Sequence, residues 1–359
     1  MKSNGHLKDI ESIVDAIEIK DDYSFSIFNK PIPVKHQQPY TQWNQPLHNF
    51  GQNLGDEDQM KVNLTNQLAG SIYNVFYCQG TSGEAGLEKS SQLENMPSKD
   101  DREAFMQTLS AANKTVDGYD YYWSVYAVDA NGNSFVQKNG AYRNLTPMGF
   151  QFANQSDTKL NVGTMVHILI KKENKEVQPV FYHVYSQALM PQEAEFIRFY
   201  FNLKGEGAAP LIEAITTAFN KYKVPFLFKC LNHPDLYNRT DSAVLYLNKA
   251  QFKIGTRLLK PILDQIAPHL KTEVPLFSRK LRPGVSFAED PGNGQSFGMS
   301  RCTALAQGIV NAYQKKLGDG KARRTEILRY LKNKGLEANR IFLKSNSQFP
   351  YDFTILQPN

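Results

Sequence analysis

Apolar residues along this chain follow two different spacings. In the first third of the sequence they recur every three or four positions within three stretches, at residues 7–19, 60–79 and 101–113. That spacing predicts amphipathic helices. From residue 119 onward, apolar and polar positions alternate over short runs, which is typical of strands. We therefore predict a helical N-terminal part, residues 1–115, with a polar loop or arm at residues 31–54. An α+β part, residues 116–359, comes after it.

Two of the predicted strands carry charged side chains in otherwise apolar runs. In FIRFYFNL, residues 196–203, Arg198 and Tyr200 share one face while apolar side chains fill the other. In VPFLFKCL, residues 224–231, Lys229 lies between two leucines on its own face. If that face is covered, burial favours the neutral amine, which is the form that can accept a proton. The alternative is that Lys229 reaches solvent from an edge strand.

The order of the elements predicts fold class α+β. Helices come first, then a mostly antiparallel sheet with inserted and C-terminal helices, and Asn131-Gly132 provides a hairpin turn. The chain has no alternating βαβ pattern and no glycine-rich nucleotide loop. It also lacks the His-Glu-x-x-His motif. The sequence thus gives no support for a nucleotide site or a zinc protease.

The most distinctive stretch is LRPGVSFAEDPGNGQSFGMSR, residues 281–301. Its density of glycine and proline predicts a loop with a fixed, irregular path. An amphipathic helix is predicted over residues 301–317, with Ser300 as its N-cap. A helix N-terminus presented by such a loop favours an anion. The alternative is a helix-entry loop whose glycines serve geometry alone.

Charge is concentrated near the C-terminus. The net charge of the chain is +6, and residues 315–344 hold ten Lys and Arg against three Asp and Glu. Such a segment attracts anionic partners, or it is simply a solvated helix face. No nucleic-acid-binding motif accompanies it, so nucleic acid is not predicted as a partner.

Cysteine content and hydropathy indicate a cytoplasmic protein. The three cysteines lie far apart without metal-type spacing, so neither a disulfide framework nor a metal site is predicted. No run approaches the roughly 20 apolar residues that a membrane span needs, and the N-terminus has no apolar signal segment. We predict no membrane association.

The C-terminal half resembles a known family. The resemblance rests on four motifs, FIRFYFNL, VPFLFKCL, YNRTDSAVLYL and RPGVSFAEDPGNGQSFGMSRC. They are similar to those of the HrmA/HopPsyA effector-like family, which includes a plant-pathogen type III effector. It also includes lyase-like enzymes encoded beside kinases in class V lanthipeptide and thioamide-peptide pathways. The N-terminal part, with a helix and then SIYNVFYC, fits the family more loosely.

The resemblance implies an activity and its partners. In the biosynthetic members, a partner kinase phosphorylates Ser or Thr of a precursor peptide. The lyase-like protein then eliminates phosphate and leaves a dehydroamino acid. This chemistry needs a lysine base, cationic groups for the phosphate and an acid, but no metal or organic cofactor. The effector-type members imply a different location, because they are secreted into a host cell.

The residues offer candidates for each role. Lys229 is the candidate base, and Tyr200, Tyr246 and His183 are candidate acids or donors to the substrate carbonyl. His183 alternates with aromatic residues on a predicted strand, where a lone histidine is more often a packed core residue. Four arginines are candidate phosphate ligands, since guanidinium binds phosphate through two parallel hydrogen bonds; they are Arg198, Arg239, Arg282 and Arg301.

The remaining candidates are structural or orienting. An acidic side chain directly on a phosphate dianion would repel it, so the acidic candidates would orient the arginines or cap backbone N–H groups. This group comprises Asp241, Tyr246, Glu289, Asp290, Gly294 and Ser296.

Three functions compete at this point. The first is a phosphoserine/phosphothreonine lyase acting on a peptide. The second is a binding module that holds a phosphorylated or acidic peptide without turnover. The third, nucleic-acid binding through the basic C-terminal segment, rests on charge alone. The presence of Lys229 favours the lyase, because a binding module does not need a base.

Overall fold

The computed structural model describes residues 5–32, 56–90, 97–146 and 149–357, and it confirms the α+β class. The predicted arm at residues 31–54 lies almost wholly outside the described residues. The α-helices are α1 Gly5–Ala16, α2 Asp56–Ile72, α3 Ala85–Ser90, α4 Lys99–Ala112, α5 Ala208–Lys221, α6 Phe252–Ile266, α7 Phe297–Gln314 and α8 Gly320–Asn333. A π-helical turn, Tyr73–Tyr77, continues α2.

The strands fall into three antiparallel sheets. In chain order they are β1 Ile17–Ile19, β2 Phe25–Ile27, β3 Lys30–Pro31, β4 Gly118–Val128, β5 Ser134–Lys138, β6 Ala141–Leu145, β7 Phe150–Phe152, β8 Met165–Ile170, β9 Glu173–Gln178, β10 Phe181–Tyr185, β11 Phe196–Phe201, β12 Phe226–Leu231, β13 Ala243–Asn248, β14 Arg279–Arg282 and β15 Val285–Glu289. The sheet orders are β1-β2-β3, β6-β5-β4-β8-β7 and β14-β15-β11-β13-β12-β10-β9.

The seven-stranded sheet is covered on both faces. Its apolar face packs on α5 and α6, as shown by the rings of Phe219 and Phe226, 5.6 Å apart, and of Phe252 and Phe287, 6.1 Å apart. The opposite face carries Arg198, Tyr200, Lys229 and His183, and we call it the polar face. The π-helical turn and α7 cover part of it, with Phe297 of α7 6.2 Å from Tyr200.

The five-stranded sheet has a small core of its own. Trp123, Val125, Val136, Val166 and Ile168 form it. The Asn131-Gly132 turn joins β4 to β5, as the alternation predicted. This sheet lies between α4 and the seven-stranded sheet in the sequence, and its inner face turns toward the end of the larger sheet.

One continuous core joins the helices to the large sheet. Ile13 of α1, Leu68 of α2 and Leu109 of α4 belong to the same buried cluster as Phe199 of β11. The boundary between residues 115 and 116 stays a prediction, but the described helices before it share their core with the seven-stranded sheet. No described helix has the length and apolar character needed to cross a membrane.

Several predicted element ends are wrong for identifiable reasons. The first helix ends at Ala16, and Ile17–Ile19 instead pairs with Phe25–Ile27 as a strand. Proline commonly interrupts a helix, yet α6 continues past Pro261, since Ile262, Leu263 and Ile266 beyond it are buried against the sheet. Tertiary packing thus outweighs the local signals at both places.

The helix after the glycine-rich loop begins four residues earlier than predicted. Its N-cap is Ser296, whose Oγ accepts a hydrogen bond from the Met299 N–H at 3.2 Å. Ser300, the predicted cap, lies inside the helix, where its N–H bonds to the Ser296 carbonyl. The two serines carry the same local signal, and only the path of the preceding loop distinguishes them.

Candidate functional site

Neighbouring strands bring the predicted base and one predicted acid together. His183 of β10 and Lys229 of β12 are directly opposite each other in the antiparallel register, which places their Cβ atoms about 5 Å apart. Lys229 in turn faces Val244 of β13, and Val244 faces Tyr200 of β11. One row across the sheet therefore holds all three predicted catalytic side chains.

Lys229 is half-buried and forms no ion pair with a carboxylate of the described residues. Its Nζ donates a hydrogen bond to Gln178 Oε1 at 2.9 Å and lies 4.1 Å from the centre of the Phe181 ring. Both contacts come from the β9–β10 hairpin beside it. Lys229 thus lies on a central strand under partial cover, which fits neither a fully buried amine nor an edge-strand lysine in open solvent.

His183 is held in its neutral form. Burial, together with the positive charge of Lys229, lowers the pKa of His183 from 6.5 to about 4. Its Nε2 is buried and has no hydrogen-bond partner among the described residues. The site therefore presents a neutral imidazole with a free ring nitrogen next to an ammonium group.

Arg239 and Asp241 form a buried pair close to Lys229. Arg239 donates to both carboxylate oxygens, from Nε at 2.5 Å and from Nη2 at 2.9 Å. The Tyr73 hydroxyl accepts from Arg239 at 2.8 Å and donates to Asp241 at 3.3 Å. Burial alone would raise the pKa of Asp241, but Arg239, and to a smaller extent Lys229, hold it below its usual value.

Arg198 of β11 is paired with a carboxylate in the same way. Its Nε and Nη2 both donate to Asp290 Oδ2, the Nε at 3.0 Å, and its guanidinium lies 5.1 Å from the centre of the Tyr246 ring. Burial raises the pKa of the neighbouring Tyr200 to about 12. Tyr200 therefore remains an O–H donor at physiological pH.

The other two predicted phosphate ligands differ in position. Arg301 of α7 lies on the polar side of the sheet, where it donates to the backbone carbonyls of Ile341 and Leu343 at 2.8 and 2.6 Å. Burial lowers the pKa of Arg301 to about 10. Arg282 lies on the opposite, apolar face, bonded to Asp264 of α6 and to the Leu356 carbonyl. The structure does not bring Arg282 together with the other three.

Glu289, at the end of β15, and Asp290, which follows it, both accept hydrogen bonds from within the protein. Glu289 lies on the apolar side, where it accepts hydrogen bonds from Ser347, Tyr351 and the Lys344 backbone N–H. Asp290 also accepts from the Gly292 N–H at 2.8 Å. Gly294 has φ +77, a left-handed conformation that favours glycine. No group of three or more potential metal ligands occurs in the part of the chain that the structure describes.

Residues 172–343 match the sequence profile of the HopA1 effector protein family. The match covers 172 of the 359 residues. The resemblance predicted from the sequence is thereby confirmed, and every predicted site residue lies within the HopA1 segment. No curated protein matches the chain.

Two solved structures resemble the fold. The effector protein from Pseudomonas syringae pv. tomato strain DC3000 is 18% identical, with a TM-score of 0.41 over 78% of this chain and 100% of that one. The effector protein from Pseudomonas syringae pv. syringae strain 61 is 15% identical, with a TM-score of 0.40 over 79% and 96%.

Sequence reasoning missed the aromatic side chains that close the site from outside the HopA1 segment. Tyr73 and Tyr77 stack with ring centres 5.1 Å apart in the π-helical turn. Tyr73 completes the Arg239–Asp241 pair, and Tyr77 packs on Phe297. The aromatic run SIYNVFYC was the available signal, but its period looked like an ordinary helix. π-helical turns are enriched at functional sites.

Proposed function

We propose that the polar face is the active site of a lyase that eliminates phosphate from phosphorylated Ser or Thr in a peptide. The observation that carries this proposal is the direct cross-strand pairing of Lys229 with His183. A base and a proton-transfer partner whose Cβ atoms lie about 5 Å apart on one face of a sheet can act on neighbouring atoms of one substrate residue. Both are half-buried, so solvent does not fully screen them.

Lys229 and His183 can supply the base and the acid that the elimination needs. Lys229, an ammonium group in the free protein, first releases a proton to solvent. Its neutral amine then takes the Cα proton, and the electron pair of the Cα–H bond forms the Cα=Cβ double bond. The Cβ–O bond breaks, and phosphate leaves with its electron pair. Imidazolium at His183 then protonates the leaving oxygen. His183 is neutral in the free protein, but a phosphate dianion beside it favours the charged ring and so supplies the acid on binding.

The Cα proton next to an amide is weakly acidic, so the developing negative charge on the carbonyl oxygen must also be stabilised. The Tyr200 hydroxyl is the proposed donor, since it stays protonated and lies in the same row of the sheet. Aimed donors of this kind contribute about 3 kcal/mol in other enzymes. Arg198 and Arg239, each fixed by a carboxylate, are the proposed phosphate neighbours.

The proposal includes the partners and the location. The substrate would be a Ser- or Thr-containing precursor peptide after the action of a kinase, which need not stay bound. The reaction requires neither metal nor organic cofactor, because side chains supply base and acid. We propose a cytoplasmic location for a biosynthetic role, whereas an effector role would require secretion into a host cell.

Intact mass spectrometry tests the lyase directly. A synthetic phosphothreonine peptide is incubated with the wild type, with Lys229→Ala, and with Lys253→Ala as the control, since Lys253 is exposed on the opposite side of the sheet. Loss of phosphoric acid with the wild type and the control, but not with Lys229→Ala, is the expected result. Loss of only the phosphoryl group, with water added, would identify a phosphatase and refute the lyase.

One observation favours a second candidate, a phosphopeptide-binding module of the effector type. All four predicted phosphate arginines already donate to protein carboxylates or carbonyls. With its arginines bonded to protein groups, the site can hold a phosphopeptide through Lys229 without turning it over. Binding of the phosphopeptide without any mass change would support this module and exclude the lyase for that peptide.

A further inference from the structure

A cavity of about 400 Å³ opens beside the proposed active site. It lies between the inner side of the five-stranded sheet and the end of the seven-stranded sheet. Arg143 of β6 and Ile170 of β8 line one side, and the pair Tyr185–Leu227 of β10 and β12 lines the other. Leu189, from the loop after β10, contributes a further apolar wall.

The cavity is continuous with the polar face through its strands. Tyr185 and Leu227 are opposite each other, two positions along from the His183–Lys229 pair and on the same face. Two residues of a strand span about 7 Å. An extended peptide covers this distance with two to three residues, so a chain reacting at Lys229 would have its neighbouring residues at the cavity.

The charges that line the cavity are all positive. Arg143 and Lys171 are its charged lining residues, and no Asp or Glu lines it within the described part of the chain. Arg143 donates from Nη2 to the Met190 carbonyl and lies over the Trp123 ring. Its Nε is buried without a hydrogen-bond partner among the described residues. A partly desolvated guanidinium that lines a cavity with no Asp or Glu in its described wall is complementary to an acidic group. Outside that wall, the Asp120 carboxylate raises the pKa of Arg143, against the larger lowering by burial.

We propose that this cavity binds the segment of the phosphopeptide next to the phosphorylated residue, and that Arg143 pairs there with an Asp or Glu side chain. The apolar walls contact the rest of that segment. This inference rests on the proposed function for placing the phosphorylated residue at Lys229. It adds a substrate preference: an acidic residue about two to four positions from the phosphorylated one.

Peptide binding tests the pairing without relying on turnover. Labelled peptides carry a phosphonate in place of the phosphate ester, so that no leaving group is present. They differ only in having Glu, Gln or Lys three positions away, on either side in separate sets. Affinity is measured by fluorescence anisotropy for the wild type, for Arg143→Glu, and for Lys159→Gln, which removes one exposed charge outside the cavity.

We expect the wild type and Lys159→Gln to bind the Glu peptide about tenfold more tightly than the Gln peptide. Arg143→Glu should reverse the order and favour the Lys peptide, which a merely structural role of Arg143 would not produce. Equal affinity of the wild type for the Glu and Gln peptides, or no binding of any peptide, would overturn the inference. The inference would also be overturned if Arg143→Glu weakened the binding of the Glu, Gln and Lys peptides equally.

The matching phosphothreonine peptides separate this inference from the proposed function. Elimination without a preference for Glu would overturn the cavity assignment and leave the lyase standing. A preference for Glu that reverses with Arg143→Glu, without elimination, would uphold the cavity assignment and leave the binding module.

Discussion

The low pKa of His183 allows the polar face to be tested without any assumption about activity. In the folded protein the His183 pKa is about 4, and its ordinary value is 6.5. Below pH 6.5 the unfolded chain therefore binds a proton that the folded protein does not bind until about pH 4. The free energy of unfolding must fall as the pH is lowered through this window. Replacing His183 by glutamine removes that dependence.

The size of the change in the free energy of unfolding follows from the lowering of the His183 pKa. A tenfold change in proton affinity corresponds to about 1.4 kcal/mol, so lowering the His183 pKa from 6.5 to about 4 amounts to about 3 kcal/mol. This is an upper limit, because His183 is half-buried and solvent screens part of the cost. Lys229→Gln should remove only part of this pH-dependent loss of stability, since burial is the larger cause of the low His183 pKa and the charge of Lys229 the smaller.

Urea unfolding between pH 7 and pH 4 measures the effect. Carboxylates lose stability in both proteins as the pH falls, so the informative quantity is the difference between wild type and His183→Gln. That difference should shift by about 2–3 kcal/mol in favour of the variant on going from pH 7 to pH 4. NMR titration of the His183 ring proton gives the pKa directly. Parallel stability curves, or a ring titrating near 6.5, would refute the buried, Lys229-facing position of His183.

Two further substitutions test the walls of the site. Asp290→Asn leaves the buried Arg198 guanidinium without its counter-charge, and the free energy of unfolding should fall by about 3 kcal/mol in urea titrations; an unchanged midpoint would contradict the pairing. Gly298→Ala places a Cβ 2.4 Å from the Tyr77 ring, so α7 and the π-helical turn must separate. Stability should fall by about 2 kcal/mol, and a neutral or stabilising result would contradict this close approach.

The alternation in residues 196–203 correctly placed Arg198 and Tyr200 on one face, because the period of a strand is set by its own backbone. The same pattern did not reveal that this face is covered as well. Its cover comes from Tyr77, more than a hundred positions earlier, and from Phe297, almost a hundred later. Such contacts depend on tertiary packing, and no local pattern encodes them.

Gly298 is a second case in which a tertiary contact could not be predicted from the sequence. In the sequence it appears as one of several loop glycines, and the helix is predicted to begin after it. In the structure it lies in the first turn of α7, where a side chain would collide with Tyr77 and Tyr73. Its role is close approach between two elements rather than loop geometry. Composition cannot separate these two uses of glycine.

The arginines show why residue type alone could not define the candidate site. Guanidinium suits a carboxylate as well as a phosphate, and Arg198 and Arg239 each have an aspartate partner. Each such pair is close to neutral, so neither contributes a full charge to the field felt by a phosphate. Among the described site residues on this side of the sheet, the cations without a carboxylate partner are Lys229 and Arg301, and Arg301 is turned toward backbone carbonyls. The attraction for a dianion therefore centres on Lys229, which both candidate functions need, and only the removal of a proton by its amine separates them.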